Sequence, residues 1–330
     1  MPSSLVTGGA GFLGSHLVRT LLEREHEVVV LDDLSGGFRE NVDDRAHFLE
    51  GSITDVDTVE RLFADHRFDY VYHLAAYAAE GLSHFIRRFN YTNNLIGSVN
   101  LINASVKQRV KRFVFTSSIA VYGSGAPPLL ETHPLHPEDP YGVAKLAVEQ
   151  DLAAAYELFG LEYAILRPHN VYGEYQNLGD RYRNVVGIFM NQIMSGQPLT
   201  IFGDGKQTRA FSYVGDILDA LASAATHPGA RNEVFNVGGE QVLSVNALAD
   251  AVLTVTGATV GKVHLPPRVE VQHAFADHTK SHETFGRPTP TTLTEGLAEM
   301  WAWAQQRGVQ STTRFASIEL HENLPPSWET

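Results

Sequence analysis

The sequence contains no cysteine among its 330 residues. Disulfide bonds, thiolate metal sites and cysteine nucleophiles are therefore excluded, and the reducing cytoplasm is the expected location. The sequence also has no apolar run of about 18 residues and no leader in which a basic stretch precedes an apolar one. We therefore expect neither a membrane span nor a signal peptide.

Basic residues are scarce relative to acidic ones. The chain has 25 lysines and arginines against 38 aspartates and glutamates, a formal net charge of −13. This charge argues against a general nucleic-acid surface, and an anionic ligand would have to be held by particular arginines. Histidines number 15, but we predict no group of them that converges on a metal ion, so no metal site is assigned.

A glycine-rich turn dominates the N-terminal region. Residues 5–7 are typical of the end of a buried strand, and leucines that recur every four residues indicate a helix from about residue 11. Gly8, Gly11 and Gly14 lie between the two elements. Bare backbone N–H groups at a helix N-terminus bind a diphosphate, and the third glycine permits close helix–strand packing. An ordinary strand–turn–helix is the alternative at this point.

An acidic pair follows the next apolar run. Residues 27–31 predict a second strand, and Asp32 comes 18 residues after Gly14. An acid at this distance is placed to bind the adenosine ribose hydroxyls of a dinucleotide. The neighbouring Asp33 adds negative charge that would repel a 2′-phosphate, which favours NAD over NADP.

Predicted strands and helices alternate along the first half of the chain. Further strands are predicted at 46–50, 70–76, 112–118 and 162–167, and helices at 56–66, 89–109 and 141–159. This alternation is typical of an α/β fold with a doubly wound parallel sheet of the Rossmann type. We assign residues 1–168 to an NAD-binding domain.

The alternation weakens after Pro168. Shorter elements are predicted there: helices at 184–195, 216–226, 245–256 and 293–306, and a strand at 199–202. We predict that residues 169–330 form mainly a smaller substrate domain, with a strand near 233–237 returning to the main sheet. The chemistry is expected in the cleft between the two parts. The segment after Gly308 is expected to be a surface extension.

Three side chains suggest acid–base chemistry. Tyr141 and Lys145 are four residues apart at a predicted helix start, so they share one helix face, and Ser118 ends a predicted strand. Lowering a tyrosine pKa from about 10 to about 7 requires roughly 4 kcal/mol. A positive charge about 5 Å away supplies roughly 3 kcal/mol at an effective dielectric constant of 20. Lys145 and an oxidised nicotinamide ring could together achieve this shift, although Tyr-x-x-x-Lys also occurs by chance.

Motifs along most of the chain resemble those of a known family. They are TGGAGFLG at 7–14, DDL at 32–34, HLAA at 73–76, TSSIAVYG at 116–123, PYGVAK at 140–145, LRPHNVYG at 166–173 and FGDGKQTRAFSYV at 202–214. The chain resembles the extended short-chain dehydrogenase/reductases, specifically the NAD-dependent nucleotide-sugar epimerases and dehydratases. Within that group it is closest in its motifs to the UDP-glucose 4-epimerases.

The resemblance implies a role for each matching position. Tyr141 would be the catalytic base and acid, Lys145 would bind the nicotinamide ribose and lower the tyrosine pKa, and Ser118 would hydrogen-bond the reacting hydroxyl. The implied cofactor-binding residues are Gly8, Gly11, Phe12, Leu13, Asp32, Asp33, Ser35, Gly36, Ser52, Ile53, Leu74, Ala75, Ala76, Asn93, Tyr141, Lys145 and Pro168. The implied substrate-binding residues are Ser118, Tyr141, Asn170, Asn184, Arg209 and Arg268.

Several positions depart from the family pattern. Ser52 stands where the family usually has an aspartate that contacts adenine, and a serine accepts that hydrogen bond more weakly. Arg268 lies in a Pro-Arg-Val-Glu-Val stretch that lacks the family's Gly-Asp. His169 replaces a common aromatic residue, and we expect it to pack rather than to tune the nicotinamide end. Glu80, His84, Arg87 and Arg88 follow the fourth strand without the usual sequence, so no substrate contact is assigned to them.

The resemblance implies a UDP-hexose 4-epimerase that uses tightly held NAD and a transient 4-keto sugar. A nucleotide-sugar dehydratase or decarboxylase is the alternative, but those enzymes place titratable residues where this chain has Ile119 and Ala120. A non-enzymatic NAD-sensing protein is a third interpretation, which the intact Ser118, Tyr141 and Lys145 argue against. The family also implies a homodimer built on the helices at 89–109 and 141–159.

Overall fold

The computed structural model describes residues 1–312 and 314–329. Its strands are β1 (Ser3–Thr7), β2 (Glu27–Asp32), β3 (His47–Glu50), β4 (Tyr70–His73), β5 (Arg112–Thr116), β6 (Tyr163–Pro168), β7 (Val171–Tyr172), β8 (Leu199–Phe202), β9 (Thr208–Ala210), β10 (Ser212–Tyr213), β11 (Glu233–Val237), β12 (Val242–Ser244), β13 (Lys262–Leu265) and β14 (His273–Ala274). Its α-helices are α1 (Phe12–Glu23), α2 (Val56–Asp65), α3 (Glu80–Ser83), α4 (Arg87–Tyr91), α5 (Gly97–Gln108), α6 (Pro140–Phe159), α7 (Val185–Met194), α8 (Gly215–Ser223), α9 (Val245–Thr256), α10 (Thr279–Phe285), α11 (Leu293–Arg307) and α12 (Pro326–Glu329).

A seven-stranded parallel sheet forms the centre of the molecule. Its strand order is β11-β6-β5-β4-β1-β2-β3, and every neighbouring pair is parallel. The chain winds outward from β1 in one direction and, after β3, from β4 in the other. The predicted doubly wound sheet is thus confirmed, and a crevice is expected beyond the carboxyl ends of β1 and β4, where the winding direction reverses.

The central strands are buried on both faces because helices cover the sheet from both sides. One apolar cluster joins the sheet to α1 and α8, with Leu17 and Leu221 fully buried. A second cluster joins the opposite face to α2, α5 and α6, with Leu101 and Val148 fully buried. Both sheet faces are therefore apolar, as expected for parallel strands.

Strands β4 and β5 end earlier than predicted, at His73 and Thr116 rather than at residues 76 and 118. Strand β1, the neighbour of β4, ends at Thr7, where the glycine turn begins. Beyond this point β4 has no strand to pair with on that side, so the backbone leaves the sheet. The freed residues lie at the crevice.

The helix predicted at 89–109 is divided into three parts. Helix α4 continues into a π-helical segment, Thr92–Ile96, and then into α5. Single π-helical turns within α-helices are frequent at functional sites. Here the wider turn contains Asn93, one of the predicted cofactor residues.

The apolar clusters do not divide the chain at residue 169. Strand β11 pairs with β6, as the apolar run predicted, and Phe235 and Ile217 belong to the cluster that packs on α1. A separate cluster contains Phe189, Leu248 and Met300, from α7, α9 and α11. The chain therefore returns to the central sheet between two parts of the smaller unit.

The C-terminal tail, residues 314–329, is more than a surface extension, so that expectation was wrong. Leu324 and Trp328 are buried, with 7% and 4% of their surface exposed. They pack in an apolar cluster with Leu82, Ile86 and Tyr182. The aromatic and aliphatic residues of this polar segment are spaced irregularly, so no helical or strand periodicity indicated their burial.

No helix in the part of the chain that the structure describes combines the length and the apolar character needed to cross a bilayer.

Candidate active site

A cavity of about 460 Å³ opens at the carboxyl ends of the central strands. All six predicted substrate-binding residues line it, and so do the predicted cofactor-binding residues with the exception of Ser52. The folded chain therefore brings together segments that are far apart in sequence, from Gly8 to Arg268.

The glycine turn has the backbone geometry that the sequence predicted. Gly8 adopts a φ of +73°, and a Cβ placed on it would lie 2.7 Å from the backbone nitrogen of Ala75. The backbone N–H of Gly11 donates to the Gly8 carbonyl over 3.1 Å. No side chain fills this turn, so the helix α1 N-terminus can approach a diphosphate directly.

The Asp32 carboxylate holds the glycine turn to the loop after β2. It accepts hydrogen bonds from the backbone nitrogens of Ala10, at 2.9 Å, and Leu34, at 2.8 Å. Burial raises the pKa of Asp32, and these two hydrogen bonds oppose the rise. The carboxylate also lines the cavity, where ribose binding by Asp32 stays a prediction.

Ser52 does not line the cavity. Its hydroxyl lies 3.0 Å from the Thr54 hydroxyl and caps the local turn. The neighbouring Gly51 and Ile53 line the cavity instead. The serine side chain is shorter than that of an aspartate and is hydrogen-bonded within its own turn. For this reason Ser52, unlike the other predicted cofactor-binding residues, does not line the cavity.

The structure brings the predicted catalytic residues into one buried group. Pro140 starts helix α6, and Asp139 caps it by accepting from the backbone nitrogen of Gly142 at 2.9 Å. The Lys145 Nζ donates to the Thr116 carbonyl over 2.8 Å and lies 5.7 Å from the centre of the Tyr141 ring. Ser118 accepts from the backbone nitrogen of Ala120 at 3.1 Å.

The protein alone does not lower the Tyr141 pKa. Burial, and next the charge of Glu80, raise the pKa of Tyr141, while a hydrogen bond with Ser118 opposes the rise. Burial lowers the pKa of Lys145 to about 7, against the attraction of Glu149. The lysine charge is therefore not sufficient by itself. The charge of Arg183, which also lines the cavity, lowers the pKa of Tyr141 as well. The positive ring of an oxidised nicotinamide would act in the same direction, because one charge about 5 Å away supplies less than the roughly 4 kcal/mol that the shift requires.

A buried ion pair fixes α6 to the carboxyl ends of β5 and β6. Arg167 donates to Glu149 through Nε at 2.9 Å and through a second nitrogen at 2.5 Å. Ser117 donates to the same carboxylate. This network fixes the position of the helix that carries Tyr141 and Lys145 relative to the strand ends.

One polar atom near the catalytic group has no partner. The Thr116 hydroxyl is buried without a hydrogen bond, and Thr116 lines the cavity. A buried hydroxyl without a partner costs free energy that a ligand can recover. The glycine turn, the Asp32 carboxylate and this hydroxyl together suit a dinucleotide with its nicotinamide end near Tyr141.

The two predicted diphosphate arginines share a carboxylate. Glu270 lies 3.2 Å from Arg209 and 3.3 Å from Arg268. Arg209 is further held by the Val271 carbonyl at 2.6 Å, whereas the Arg268 Nε is buried without a partner. Glu270 stands in the stretch that departs from the family motif, and it balances part of the positive charge that a diphosphate would meet.

Glu80 and Arg183 are among the charged residues that line the cavity without an assigned role in the sequence prediction. Loss of hydration within the cavity, and next the charge of Asp139, raise the pKa of Glu80 to about 7, although the residue keeps an exposed surface. Arg183 pairs with Asp180 at 2.6 Å, and its guanidinium lies 4.7 Å from the centre of the Tyr77 ring. Neither residue lies in a recognisable motif. The sequence indicated them only as charged residues close to predicted site segments.

His169 is buried against an unexpected partner, and it also lines the cavity, so its packing role stays a prediction. Its Nε2 lies 2.8 Å from the Nε2 of His278, and its Nδ1 lies 3.0 Å from the Ala210 carbonyl. The sequence prediction overlooked that His278 and His282 have helical i, i+4 spacing. Even so, residues 1–312 and 314–329 contain no group of three ligating side chains that could hold a metal ion.

Comparisons with known proteins agree with this geometry. Residues 4–238 match the model of the NAD dependent epimerase/dehydratase family. A UDP-glucose 4-epimerase of Mycolicibacterium smegmatis is 36% identical over 304 residues, which are 90% of this chain and 96% of that protein. A UDP-N-acetyl-alpha-D-glucosaminuronate decarboxylase of Bacillus cytotoxicus is 31% identical over 92% of this chain and 97% of that protein.

A solved structure shows the same architecture. The crystal structure of a UDP-glucose 4-epimerase from Thermotoga maritima, with UDP-glucose, has a TM-score of 0.88 and 38% identity. The match covers 92% of this chain and 99% of that one. The relatives are thus spanned almost completely, while a small part of this chain is left unmatched.

Proposed function

The chain belongs to the NAD dependent epimerase/dehydratase family, and on that premise we propose that it is an NAD-dependent 4-epimerase of UDP-hexoses. The observation that carries the proposal is one cavity lined by two kinds of group. Ser118, Tyr141 and Lys145 supply acid–base chemistry, and Arg209 and Arg268 supply positive charge for a diphosphate. Relatives that share this architecture act on UDP-sugars, which favours UDP as the nucleotide.

The residues of this chain would move one proton. Tyr141, as phenolate, takes the proton of the sugar C4 hydroxyl and later returns it, and Ser118 holds that hydroxyl by a hydrogen bond. The chemistry that NAD would supply when bound is the uptake of a hydride at C4 and its return. Lys145, when protonated, contributes a positive charge beside the phenolate, at 5.7 Å from the ring centre, and Arg183 contributes a second one. No net oxidation occurs because the hydride returns to C4, and C4 is inverted when it returns to the opposite face of the 4-keto sugar.

The positions after Ser118 favour epimerisation over elimination. Ile119 and Ala120 lie in the 3-10 helix Ile119–Tyr122, and Ile119 packs in an apolar cluster. Neither side chain can transfer a proton. These two positions therefore supply no acid or base for elimination, which favours reduction of the keto sugar.

Glu80 supports a second candidate, a dehydratase or decarboxylase. Its carboxyl lines the cavity, and a pKa raised to about 7 lets it exchange protons near neutral pH. Elimination of water needs a second acid–base residue in addition to Tyr141, and Glu80 has this property. Product mass separates the two candidates.

The test is incubation of the purified protein with UDP-glucose, UDP-N-acetylglucosamine and UDP-glucuronate, with dTDP- and GDP-hexoses as nucleotide controls. We expect at least one UDP-sugar to give a product of unchanged mass with an inverted C4 signal in the proton NMR spectrum. A product lighter by the mass of water or carbon dioxide would contradict epimerisation. Conversion of a dTDP- or GDP-hexose alone would contradict the choice of UDP.

The same proposal includes a cytoplasmic homodimer. The absence of cysteine supports a reducing compartment. Helix α6 exposes Val143, at 40%, and Leu158, at 75%, along one side, and contact with a second copy would cover this side. Light scattering at twice the mass of one chain is the expected result, and a monomer at micromolar concentrations would contradict it.

A further inference from the structure

We propose that the C-terminal tail supports the wall of the substrate site from outside the cavity, and that Trp328 is a positioning residue that fixes the guanidinium of Arg268. This inference rests on the proposed function, because it assigns Arg268 to the nucleotide diphosphate. It assigns a supporting role to a segment near the end of the chain that does not itself line the cavity.

The tail is attached to the segment that follows β4. The Glu319 carboxylate accepts hydrogen bonds from the backbone nitrogens of Arg88 and Phe89, both at 2.9 Å. These nitrogens lie at the start of α4, where helical N–H groups otherwise have no partner. The Phe315 ring lies 4.8 Å from the Phe89 ring. The attachment is therefore both polar and apolar, and it involves the same segment as Glu80.

The end of the tail is buried between both halves of the site. Trp328 is only 4% exposed. Its ring lies 5.3 Å from Tyr182, 6.1 Å from Phe202 and 6.2 Å from Phe85, all edge-on. The Ser327 carbonyl accepts from Arg181 at 2.7 Å. The tail thus links the segment after β4 to the loop that precedes α7 and to the end of β8.

Trp328 and Phe202 both contact Arg268. The centre of the guanidinium lies 4.7 Å from the Phe202 ring and 5.9 Å from the Trp328 ring. Aromatic faces attract a guanidinium and restrict its long side chain. Glu270 is its polar partner at 3.3 Å, and its Nε has none. Since Arg268 makes so few polar contacts, its position depends on the two rings.

The tail therefore acts on binding rather than on proton transfer. Trp328 does not line the cavity, whereas Phe202, Arg268 and Gly81 do. The Trp328 ring is close to Gly81, where an added Cβ would lie 3.1 Å from it. Removal of the ring would leave a space behind the cavity wall and free the guanidinium, without contact with Tyr141 or Lys145.

The test compares three full-length variants. In Trp328→Ala we expect the KM for the UDP-sugar substrate and the Kd for UDP to rise about tenfold, with kcat within about twofold, because a freed arginine weakens ground-state and transition-state binding alike. Trp328→Phe, which keeps an aromatic ring, should restore most of the affinity. Leu320→Ala is the matched control, since Leu320 lies in the same tail with 50% of its surface exposed, and it should behave as the wild type.

A double-mutant cycle tests whether Trp328 acts through Arg268. The Kd for UDP is measured by calorimetry for the wild type, Trp328→Ala, Arg268→Ala and the double variant. If the tryptophan acts through the arginine, its removal changes the Kd less than twofold once Arg268 is absent. Equal tenfold effects in both backgrounds would overturn the proposal, as would an unchanged Kd in Trp328→Ala.

A crystal structure of Trp328→Ala provides a readout that is independent of the nucleotide. We expect the Arg268 guanidinium to leave the Phe202 ring. A guanidinium in the same position would overturn the tail's role, whether or not the wild type binds UDP. Failure of the wild type to bind UDP, with a displaced guanidinium in the variant, would instead contradict the proposed nucleotide.

Discussion

At the residue scale, Tyr141 carries the proposed proton transfer. Replacement of this residue by phenylalanine removes one hydroxyl and keeps the ring that packs in the site. We expect Tyr141→Phe to lower kcat by at least about a hundredfold, the range typical of lost acid–base catalysis, with little change in substrate binding. Tyr156→Phe is the control, because Tyr156 lies on the same helix and contacts Tyr163. Near-normal turnover in Tyr141→Phe would exclude the tyrosine as the base.

The charge of Glu80 should control the pH dependence of turnover. A negative charge near a phenol disfavours the phenolate, and Glu80 raises the pKa of Tyr141 in this way. Removal of the charge lowers that pKa, so the rise of kcat/KM with pH should move to lower pH in Glu80→Gln, by at least about half a unit. The pH–rate profile is the measurement. A profile that stays in place, or moves to higher pH, would show that Glu80 does not act on Tyr141.

Arg209 is expected to contribute to binding more than to turnover. A diphosphate is charged in both the ground state and the transition state, so its partner supplies uniform binding. Charge-assisted hydrogen bonds contribute roughly 1.5–3 kcal/mol, which predicts that Arg209→Ala raises KM about 10- to 100-fold and changes kcat little. Lys206→Ala removes a charge from the same segment at an exposed position and serves as the control. An unchanged KM in Arg209→Ala would place the diphosphate elsewhere.

At the scale of elements, the glycine turn depends on the close approach of α1 to β1. A Cβ on Gly14 would collide with the backbone of Gly8, so we expect Gly14→Ala to lower Tm by on the order of 2–8 °C and to reduce NAD retention. Gly261→Ala is the matched control, because a Cβ there meets nothing within 4 Å. Equal Tm values and equal NAD content for the two variants would contradict the packing argument.

The elements of the central sheet could be predicted from sequence because their signals are local. Apolar runs predicted the end of β1 and all but the last residue of β2, and the glycine spacing predicted the turn between β1 and α1. The short strands β9, β12 and β14 were missed. Each has only two or three residues, and they form a sheet of their own, so their pairing depends on tertiary contacts rather than on periodicity.

The candidate site likewise contains some residues that could be predicted from the sequence and some that could not. Ser118 and Tyr141 could be named because their positions carry chemical meaning, and Arg209 could be named because its motif resembles that of the family. Arg183 and Trp328 could not, since the first is placed by the folding of a loop and the second by an aromatic cluster between distant segments. The pairing of His169 with His278 likewise joins positions 109 residues apart.

At the scale of the whole molecule, both half-reactions take place in one cavity: a hydride leaves C4 of the sugar there, and the same hydride returns to C4. The acid–base residues and the arginines line this cavity together, and the enzyme should purify with NAD bound, since a cofactor that is restored in each cycle need not leave. NAD in the acid-denatured supernatant of dialysed protein is the expected result. Protein that is active only with a continuous supply of NAD would contradict the return of the hydride to the sugar within the same active site.

The most direct test is an isotope experiment with a UDP-hexose that carries deuterium at C4. The substrate is the one identified by the product assays, and the reaction is run in ordinary water with the enzyme as purified. The account predicts that the epimer formed retains the deuterium at C4, with its mass unchanged and its C4 proton signal absent. Replacement of the deuterium by solvent hydrogen at C4 would contradict the account. The deuterium would then have exchanged with water instead of being transferred from C4 and returned to it.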